Sequence, residues 1–140
     1  MRIKLVRKAI AAAAKTADRK LTCTAFTPDS PTEPHFFVAE YTIDYNKTYG
    51  GSPTVEFTTR VLVGRQDDRA AQELTDDYLS DEGDKSLKLA IEAARGAPGE
   101  LALDGLADDL HVVRLQSYRW YEHAGTQYVG GELIIKVLGS

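Results

Sequence analysis

Residues 54–63 read TVEFTTRVLV and carry the clearest strand signal in the chain. Apolar or β-branched residues alternate with more polar ones along the whole stretch. This period of two places one set of side chains against a core and leaves the other set more exposed to solvent. The expected core-facing set is Val55, Phe57, Thr59, Val61 and Val63, opposite Thr54, Glu56, Thr58 and Arg60. The stretch therefore predicts a strand of an antiparallel sheet.

One helix and two strands are predicted upstream of this strand. Residues 3–17 repeat apolar side chains at spacings of three and four, which predicts an amphipathic helix, and the Ala run supports it. Residues 21–26 and His35–Tyr45 alternate as strands, whereas the prolines of residues 27–34 predict an exposed loop. The second of these strands is expected to align Phe37, Ala39, Tyr41, Ile43 and Tyr45 on one face.

Two helices are predicted downstream. The first is capped by Asp67 or Asp68, because such a side chain accepts hydrogen bonds from the unpaired N–H groups at a helix start. Its apolar stripe is expected to comprise Ala70, Ala71, Leu74, Tyr78 and Leu79. The second helix runs from about Ser86 to Arg95 and ends before the Gly and Pro residues of 96–99.

The last predicted elements are two strands, residues 110–122 and 127–138, with a turn at Ala124–Gly125 between them. Gly130–Gly131 indicates a bulge or a tight bend in the final strand. The element order is then α-β-β-β-α-α-β-β, with helices and strands segregated rather than alternating. We expect an α+β fold with a mostly antiparallel sheet of about five strands, in a single domain over residues 1–140.

Composition excludes several classes of protein. The chain has 43% hydrophobic and 27% charged residues, which is typical of a globular domain. No apolar run approaches the ~20 residues that cross a bilayer, so we expect no membrane contact. The single Cys23 excludes an intrachain disulfide and a Cys-rich metal cluster. A net charge of −4 argues against general binding of polyanions.

Motifs for catalysis or cofactor binding are absent from the sequence. It contains no phosphate-binding P-loop, no dinucleotide fingerprint, no nucleophile elbow and no HExxH zinc motif. His35, His111 and His123 lie in three strand segments; they could converge on zinc, but isolated strand histidines are more often ordinary surface or partly buried residues. Cys23 is expected to be a small buried apolar residue. The sequence predicts a protein without enzymatic activity, cofactor or metal.

Charge is unevenly distributed along the chain. Seven basic residues fall within residues 1–20, and eight acidic residues fall within residues 67–84. Such polarity suits head-to-tail contact between identical subunits, in which a positive patch meets a negative one. The alternative is two solvated helix faces whose charges only aid solubility.

Several short motifs, taken in chain order, are similar to those of one known family. They are Phe26-Thr27-Pro28-Asp29, Ile43-Asp44-Tyr45, Thr48-Tyr49-Gly50-Gly51, Arg60-Val61-Leu62-Val63-Gly64-Arg65, Asp68-Arg69-Ala70-Ala71-Gln72-Glu73, Asp77-Tyr78-Leu79 and Tyr128-Val129-Gly130-Gly131-Glu132. With these motifs the chain resembles the tail-terminator proteins of long-tailed actinobacteriophages, which are also labelled minor tail or head-tail connector proteins. The similarity extends over nearly the whole chain, and none of the motifs is a catalytic signature.

The resemblance implies a structural protein of the virion. Tail terminators form a ring, usually of six subunits, on the head-proximal end of the tail tube, where they stop tube polymerisation and give the filled head a docking surface. The implied partners are further copies of the chain, the tail tube protein and a head-tail connector or stopper protein. DNA would pass through the ring without sequence-specific binding, and assembly would take place in the host cytoplasm.

Three alternatives stay open at this stage. The nearest is a ring protein on the head side, a connector or stopper. A different class is a small α+β ligand-binding domain or enzyme, which would need a pocket with convergent polar groups. A third is a DNA-binding accessory protein that uses the basic first helix, for which steeply salt-dependent affinity would be the signature.

Candidate contact residues follow from the charge pattern and from the loops. We hypothesise that basic residues of the first helix meet acidic residues of the middle helix on a neighbouring copy or an adjacent ring: Arg2, Lys4, Arg7 and Lys8 against Asp76, Asp77 and Asp81. Residues 27–34 and 45–53 are the candidate loops for contact with tube or connector, through Asp29, Glu33, Tyr45, Tyr49, Gly50 and Gly51. Tyr45 could alternatively be the last core residue of its strand.

Overall fold

In the part of the chain that the structure describes, a five-stranded sheet carries the helices on one of its faces. The computed structural model describes residues 2–29, 34–45, 53–65, 69–95, 101–123 and 125–139. The elements are α1 (Ile3–Lys15), β1 (Thr22–Thr24), β2 (His35–Asp44), β3 (Thr54–Arg65), α2 (Arg69–Leu79), α3 (Leu87–Glu92), β4 (Asp109–His123) and β5 (Thr126–Leu138). Short 3₁₀ turns lie at Ala93–Arg95 and Leu103–Gly105. The predicted α+β class and the order α-β-β-β-α-α-β-β are confirmed.

The strands lie in the spatial order β1-β2-β3-β5-β4. Three of the four neighbouring pairs are antiparallel, and only β1 and β2 are parallel. The two edges of the sheet are therefore β1, with three residues, and β4, with fifteen. Following the pairings across the sheet, β4 runs antiparallel to β1.

The helices cover the sheet because each presents an apolar stripe. In α1 the buried residues are Val6, Ile10, Ala11 and Ala14, at helical spacing, and this helix packs over β1 and β2. Helix α2 packs against β3 and β5, and α3 packs against β4. Ser86 begins α3 as predicted: its Oγ accepts a hydrogen bond of 3.3 Å from the backbone N–H of Leu89.

The alternation predicted for residues 54–63 is confirmed. Val55, Phe57 and Val61 are buried under the helices, and Leu62 is buried on the opposite face. The stripe predicted for α2 needs one correction, because Ala70 is exposed. Thr75 is buried in that helix instead, since its hydroxyl donates a 2.7 Å hydrogen bond to the carbonyl of Ala71 and so needs no water.

The prediction that Phe37, Ala39, Tyr41, Ile43 and Tyr45 share one face is wrong. The register of β2 against β3 shifts between Val38 and Glu40, which inserts one extra residue in β2. Such a bulge moves every later side chain to the other face. Phe37 therefore belongs to the helix-free face, whereas Ile43 packs with the main core under the helices.

The expected irregularity at Gly130–Gly131 lies instead in the two strands that flank them. The register shifts between Leu62 and Gly64 in β3 and between Gln116 and Arg119 in β4, each opposite this segment. The glycines permit close packing: a Cβ on Gly130 would lie 2.1 Å from the Val61 carbonyl oxygen. The pattern thus marked the correct place but the wrong strand.

The helix-free face of the sheet has a smaller core of Phe37, Leu62, Tyr121 and Tyr128. Beside it, Arg60 Nη2 donates a 2.6 Å hydrogen bond to Glu132 Oε2, and the Arg60 guanidinium lies 4.6 Å from the centre of the Tyr121 ring. Of the residues described, none belongs to a helix long and apolar enough to span a membrane.

Candidate functional site

A group of exposed apolar side chains in the described ranges lies along the edge strand β4. Val113, Leu115, Tyr118 and Trp120 are each more than 40% exposed, and Trp120 reaches 62%. We call these four residues the β4 strip. In the sheet formed by the described strands, β4 has a neighbour on one side only, so its outer backbone groups face outwards.

Two residues of the strip, Leu115 and Trp120, face the same side of the sheet as the helices. Leu115 is paired with Leu133, and Trp120 is paired with Val129; both partners belong to the core under the helices. Because directly paired residues point to the same face, Leu115 and Trp120 point to the helix side as well. Both remain more than 40% exposed, although α2 packs against β3 and β5 and α3 packs against β4.

One acidic side chain of α2, Asp76, lies near the strip. Asp76 and Asp77 are both exposed. Partial burial raises the pKa of the Tyr118 hydroxyl, and the negative charge of nearby Asp76 raises it further. This end of the sheet therefore combines aromatic surface with negative charge. Asp81 is also exposed, in the segment that follows α2.

A groove lies at the opposite edge of the sheet, between α1 and β1. We call it the α1–β1 groove; its volume is about 480 Å³, and its lining residues are Lys8, Ala11, Ala12, Lys15, Thr22, Cys23 and Ala25. The floor is small and apolar, and the two lysines make its rim basic. Burial raises the pKa of the Cys23 thiol to about 12, so this group remains protonated at neutral pH.

The basic surface continues toward the start of α1. A second hollow of about 380 Å³ is lined by Arg2, Ile3, Lys4, Leu5 and Lys8. The side chains of Arg2, Lys4 and Lys8 are exposed, as a contact with another molecule requires. Lys15 is partly engaged within its own chain, because its ammonium donates to the carbonyl oxygens of Arg19, at 2.6 Å, and Leu21.

Arg7 is placed differently from the other basic residues of α1. Its guanidinium is partly buried and donates hydrogen bonds of 2.8 Å to the Ala25 carbonyl and 2.7 Å to the Val38 carbonyl. It also stacks over the Phe26 ring, 4.4 Å from the ring centre. These contacts lie within one chain, so Arg7 fastens α1 to the segment after β1 and to β2.

The loop residues proposed for contact with other proteins are only partly described. Asp29 is exposed, and Tyr45 is 71% exposed, so Tyr45 is not a core residue of its strand. Glu33, Tyr49 and Gly50–Gly51 lie outside the described residues. The caps expected at Asp67 or Asp68 also lie outside them.

The start of the 27–34 loop is held against the end of β4. Nε2 of His123 lies 2.7 Å from the carbonyl oxygen of Pro28, and because a carbonyl only accepts, Nε2 carries the proton. His123 therefore has a structural partner. This contact links the loop to the hairpin that joins β4 and β5.

The three histidines do not form one cluster. The rings of His35 and His123 lie 5.9 and 6.2 Å from that of Phe37, whereas His111 is paired with Lys136 near the other end of β4. Burial lowers the pKa of His35, and the charge of His123 lowers it further. Across the described part of the chain, no group of three or more metal-binding side chains comes together.

Comparison with known proteins gives no family for this chain. No protein-family model matches it. No curated protein matches its sequence either.

The β4 strip was not identified from the sequence pattern. Leu115, Tyr118 and Trp120 are spaced by three and two residues, because β4 contains register shifts between Val112 and Arg114 and between Gln116 and Arg119. Bulges break the period of two, so the strip looks irregular in the sequence. The available signal was compositional: apolar and aromatic residues interrupt a strand that is otherwise rich in charge.

Proposed function

We propose that this chain is a structural protein of a phage virion that assembles into a ring at the head-proximal end of the tail tube. There it stops tube polymerisation and joins the tail to the head connector. It has no catalytic role in this proposal. The runner-up is a ring protein on the head side, a connector or stopper, which uses the same kind of subunit contact.

The supporting observation is that the two edges of one sheet differ in chemistry. One edge carries the β4 strip beside Asp76 of α2, and the other carries the α1–β1 groove with a basic rim. A ring needs two different, mutually complementary surfaces on each subunit. The motif resemblance to tail terminators supports the same role for nearly the whole chain.

The alternative of a small enzyme or ligand-binding domain has less support. Such a site is a concave pocket with a few convergent polar groups. Three alanines and a protonated thiol line the α1–β1 groove, and its described lining residues include no acid–base pair. Exposed apolar surface at a sheet edge fits contact with protein better than catalysis.

The first test is the native mass of the purified protein over a range of concentrations, with negative-stain images of the largest species. We expect a closed ring with a central hole. Purified tail tubes are then added, and the ends of the tubes are imaged. Density at one end only, together with arrested growth when free tube protein is supplied, is the result expected of a terminator. Rings that do not bind tube ends but do bind head-side proteins would favour the runner-up.

A control variant separates capping from non-specific adhesion. Charge reversal of exposed Lys4 to Glu leaves the described packing of α1 intact, because Lys4 is exposed. If protein density appears along the sides of tubes as often as at their ends, in both the wild type and this variant, the terminator role is contradicted.

A further inference from the structure

We infer that copies of this chain join edge to edge, with the β4 strip of one copy seated in the α1–β1 groove of the next. The inference rests on the proposed function, since it names the surfaces that close the ring. The occupant of the groove is therefore a second copy of the same chain rather than a different protein.

The two surfaces lie on the same side of the sheet. Leu115 and Trp120 point to the helix side, as their pairing with core residues requires. Cys23 in the groove is paired with Phe36, which also packs under the helices. If the sheet of one copy continues into the sheet of the next, strip and groove therefore meet on one face.

Strand direction is also consistent with this joint. Within one chain β4 is antiparallel to β1, and a rotation about an axis along the strands preserves that relation between neighbouring copies. The contact would place β4 antiparallel to β1 of the neighbour, in the pairing that is slightly more stable per residue. Because β1 offers only three residues, side chains must supply most of the contact.

Trp120 matches the α1–β1 groove in size and in chemistry. The floor of the groove is formed by small side chains, Ala11 and Ala12, which leave a hollow of about 480 Å³ on the flank of α1. Trp120 is the most exposed side chain of the strip, at 62%. A large, rigid aromatic that enters an apolar hollow is the usual energetic centre of a protein interface.

The charges around the joint are complementary. Lys8 lies on the rim of the groove, and Asp76 lies beside Tyr118 of the strip. Exposed ion pairs contribute little affinity, but they set register and speed up encounter. Two β4 strips facing each other would instead bring Asp76 of both copies together, so the charge pattern disfavours a symmetric dimer through β4.

The joint also sets a dimension for the ring. Strands are spaced about 4.8 Å apart, so five strands per copy advance the sheet by about 24 Å. Six copies would give a sheet circumference of about 144 Å and a diameter of about 46 Å at the radius of the sheet. Negative-stain class averages can be compared with this size directly.

Two variants test the joint by complementation. Trp120→Asp damages only the strip, and Ala12→Arg fills only the groove; both positions are exposed, so neither change disturbs the core. We expect each variant alone to lose assembly, with self-association weakened by about thirtyfold or more. Mixed together, they should form a 1:1 heterodimer and nothing larger, because each pair retains one intact strip and one intact groove.

A matched control is Leu89→Asp, an equally drastic change at an exposed apolar residue of α3. It should leave assembly unchanged. Thermal unfolding followed by circular dichroism confirms that all three variants are folded. Sedimentation velocity then gives the mass of each variant and of the mixture.

The results separate the joint from the proposed function. Heterodimers in the mixture support the joint even if tail tubes are not capped, in which case only the terminator role fails. Rings in both single variants, or no heterodimer in the mixture, overturn the joint even if the wild-type protein caps tubes. Wild-type protein that remains monomeric over its whole soluble range also overturns it, because complementary edges of one chain need no third component to pair.

Discussion

The guanidinium of Arg7 donates a 2.7 Å hydrogen bond to the carbonyl oxygen of Val38, the residue at which β2 changes register. The same guanidinium donates to the carbonyl of Ala25, just after β1. One side chain of α1 therefore donates to a carbonyl of β2 and to a carbonyl of the segment after β1. Since buried carbonyls need partners, this arrangement stabilises the bulge and fixes which side chains of β2 face the helices.

Replacing Arg7 by Ala should destabilise the fold by about 3 kcal/mol, because hydrogen bonds from a charged group contribute about 1.5–3 kcal/mol each and the two are not additive. Urea denaturation measures the effect. The control is Lys4→Ala, at an exposed position of the same helix, which should stay within about 0.5 kcal/mol of wild type. Equal effects for the two variants would contradict the anchoring role of Arg7.

Gly130 and Gly131 should differ in their tolerance of a methyl group. A Cβ on Gly130 would lie 2.1 Å from the backbone oxygen of Val61, whereas one on Gly131 would meet Cδ1 of Leu79 at 2.7 Å. Backbone cannot move aside, so Gly130→Ala should cost about 3 kcal/mol or more and Gly131→Ala about 1–2 kcal/mol. Chemical denaturation of both variants checks the ranking.

A double variant identifies the cause at Gly131. In the Gly131→Ala background, Leu79→Ala removes the atom that the new methyl group meets. The two losses should therefore be less than additive, by about 0.5 kcal/mol or more. Strict additivity would mean that the strain at Gly131 does not come from Leu79.

The hydroxyl of Tyr78 donates a 2.8 Å hydrogen bond to Oδ2 of Asp18, which ties α2 to the segment after α1. Burial raises the pKa of Tyr78, and the bond to Asp18 raises it further. Tyr78→Phe should cost about 1–2 kcal/mol in unfolding free energy. If Asp18→Asn is then added and the costs simply sum, the two side chains are not coupled.

Stability should fall in acid because of Glu132. Burial raises the pKa of its carboxyl, but hydrogen bonds from Arg60 and Gln116 outweigh burial and hold the pKa below its ordinary value of 4.5. A group whose folded pKa is depressed contributes stability above its unfolded pKa and loses it as pH falls through the folded value. The loss attributable to Glu132 therefore begins near pH 4.5 and continues below it.

The variant Glu132→Gln tests this pH dependence. It should be less stable than wild type at neutral pH, and the difference should narrow as the pH falls below about 4.5. Urea midpoints measured at a series of pH values give the comparison. A constant difference at every pH would show that Glu132 does not contribute through its charge.

Cys23 should react slowly with thiol reagents. Burial raises its pKa to about 12, against about 8.5 for a free thiol, so the reactive thiolate is scarcer by about a hundredfold or more at neutral pH. Disulfide exchange with an aromatic disulfide reagent, followed by absorbance, gives the rate in the native and the urea-unfolded protein. Assembly should slow the exchange rate of the native protein further, because Cys23 lines the α1–β1 groove. An exchange rate that does not change with protein concentration would contradict burial of the groove between copies.

Local patterns were sufficient for most of the fold. The alternation of residues 54–63 predicted β3, and apolar spacing predicted α1 and α3, because periodicity reports directly which side chains meet the core. The error in the faces of β2 arose at Val38, and the irregularity expected at Gly130 lies in the strands opposite it; at both places inserted residues reset the period. An insertion is fixed by partners distant in the sequence, such as Arg7, so no local pattern contains it.

The candidate site was less accessible to sequence reasoning. Charge counting located the basic and acidic segments, and the exposure of Lys8 and Asp76 agrees with a surface role for both. Charge counting could not distinguish Arg7 from its neighbours, because residue type alone does not show whether a guanidinium is buried or solvated. No sequence pattern marked Trp120, because the exposure of a strand residue depends on how far the helices extend over the sheet.

The register shifts in β4 have a consequence for how the protein avoids fibres. A long, straight strand with an open edge is a template on which any extended chain can add, and fifteen residues with several aromatics would be a strong one. The bulges at residue 113 and residues 117–118, with Ser117 in a left-handed conformation at φ 56°, break the even spacing of the outward N–H and C=O groups. A generic strand cannot match that spacing over any great length. The kinked edge therefore admits a partner of matching shape while it opposes amyloid-like stacking.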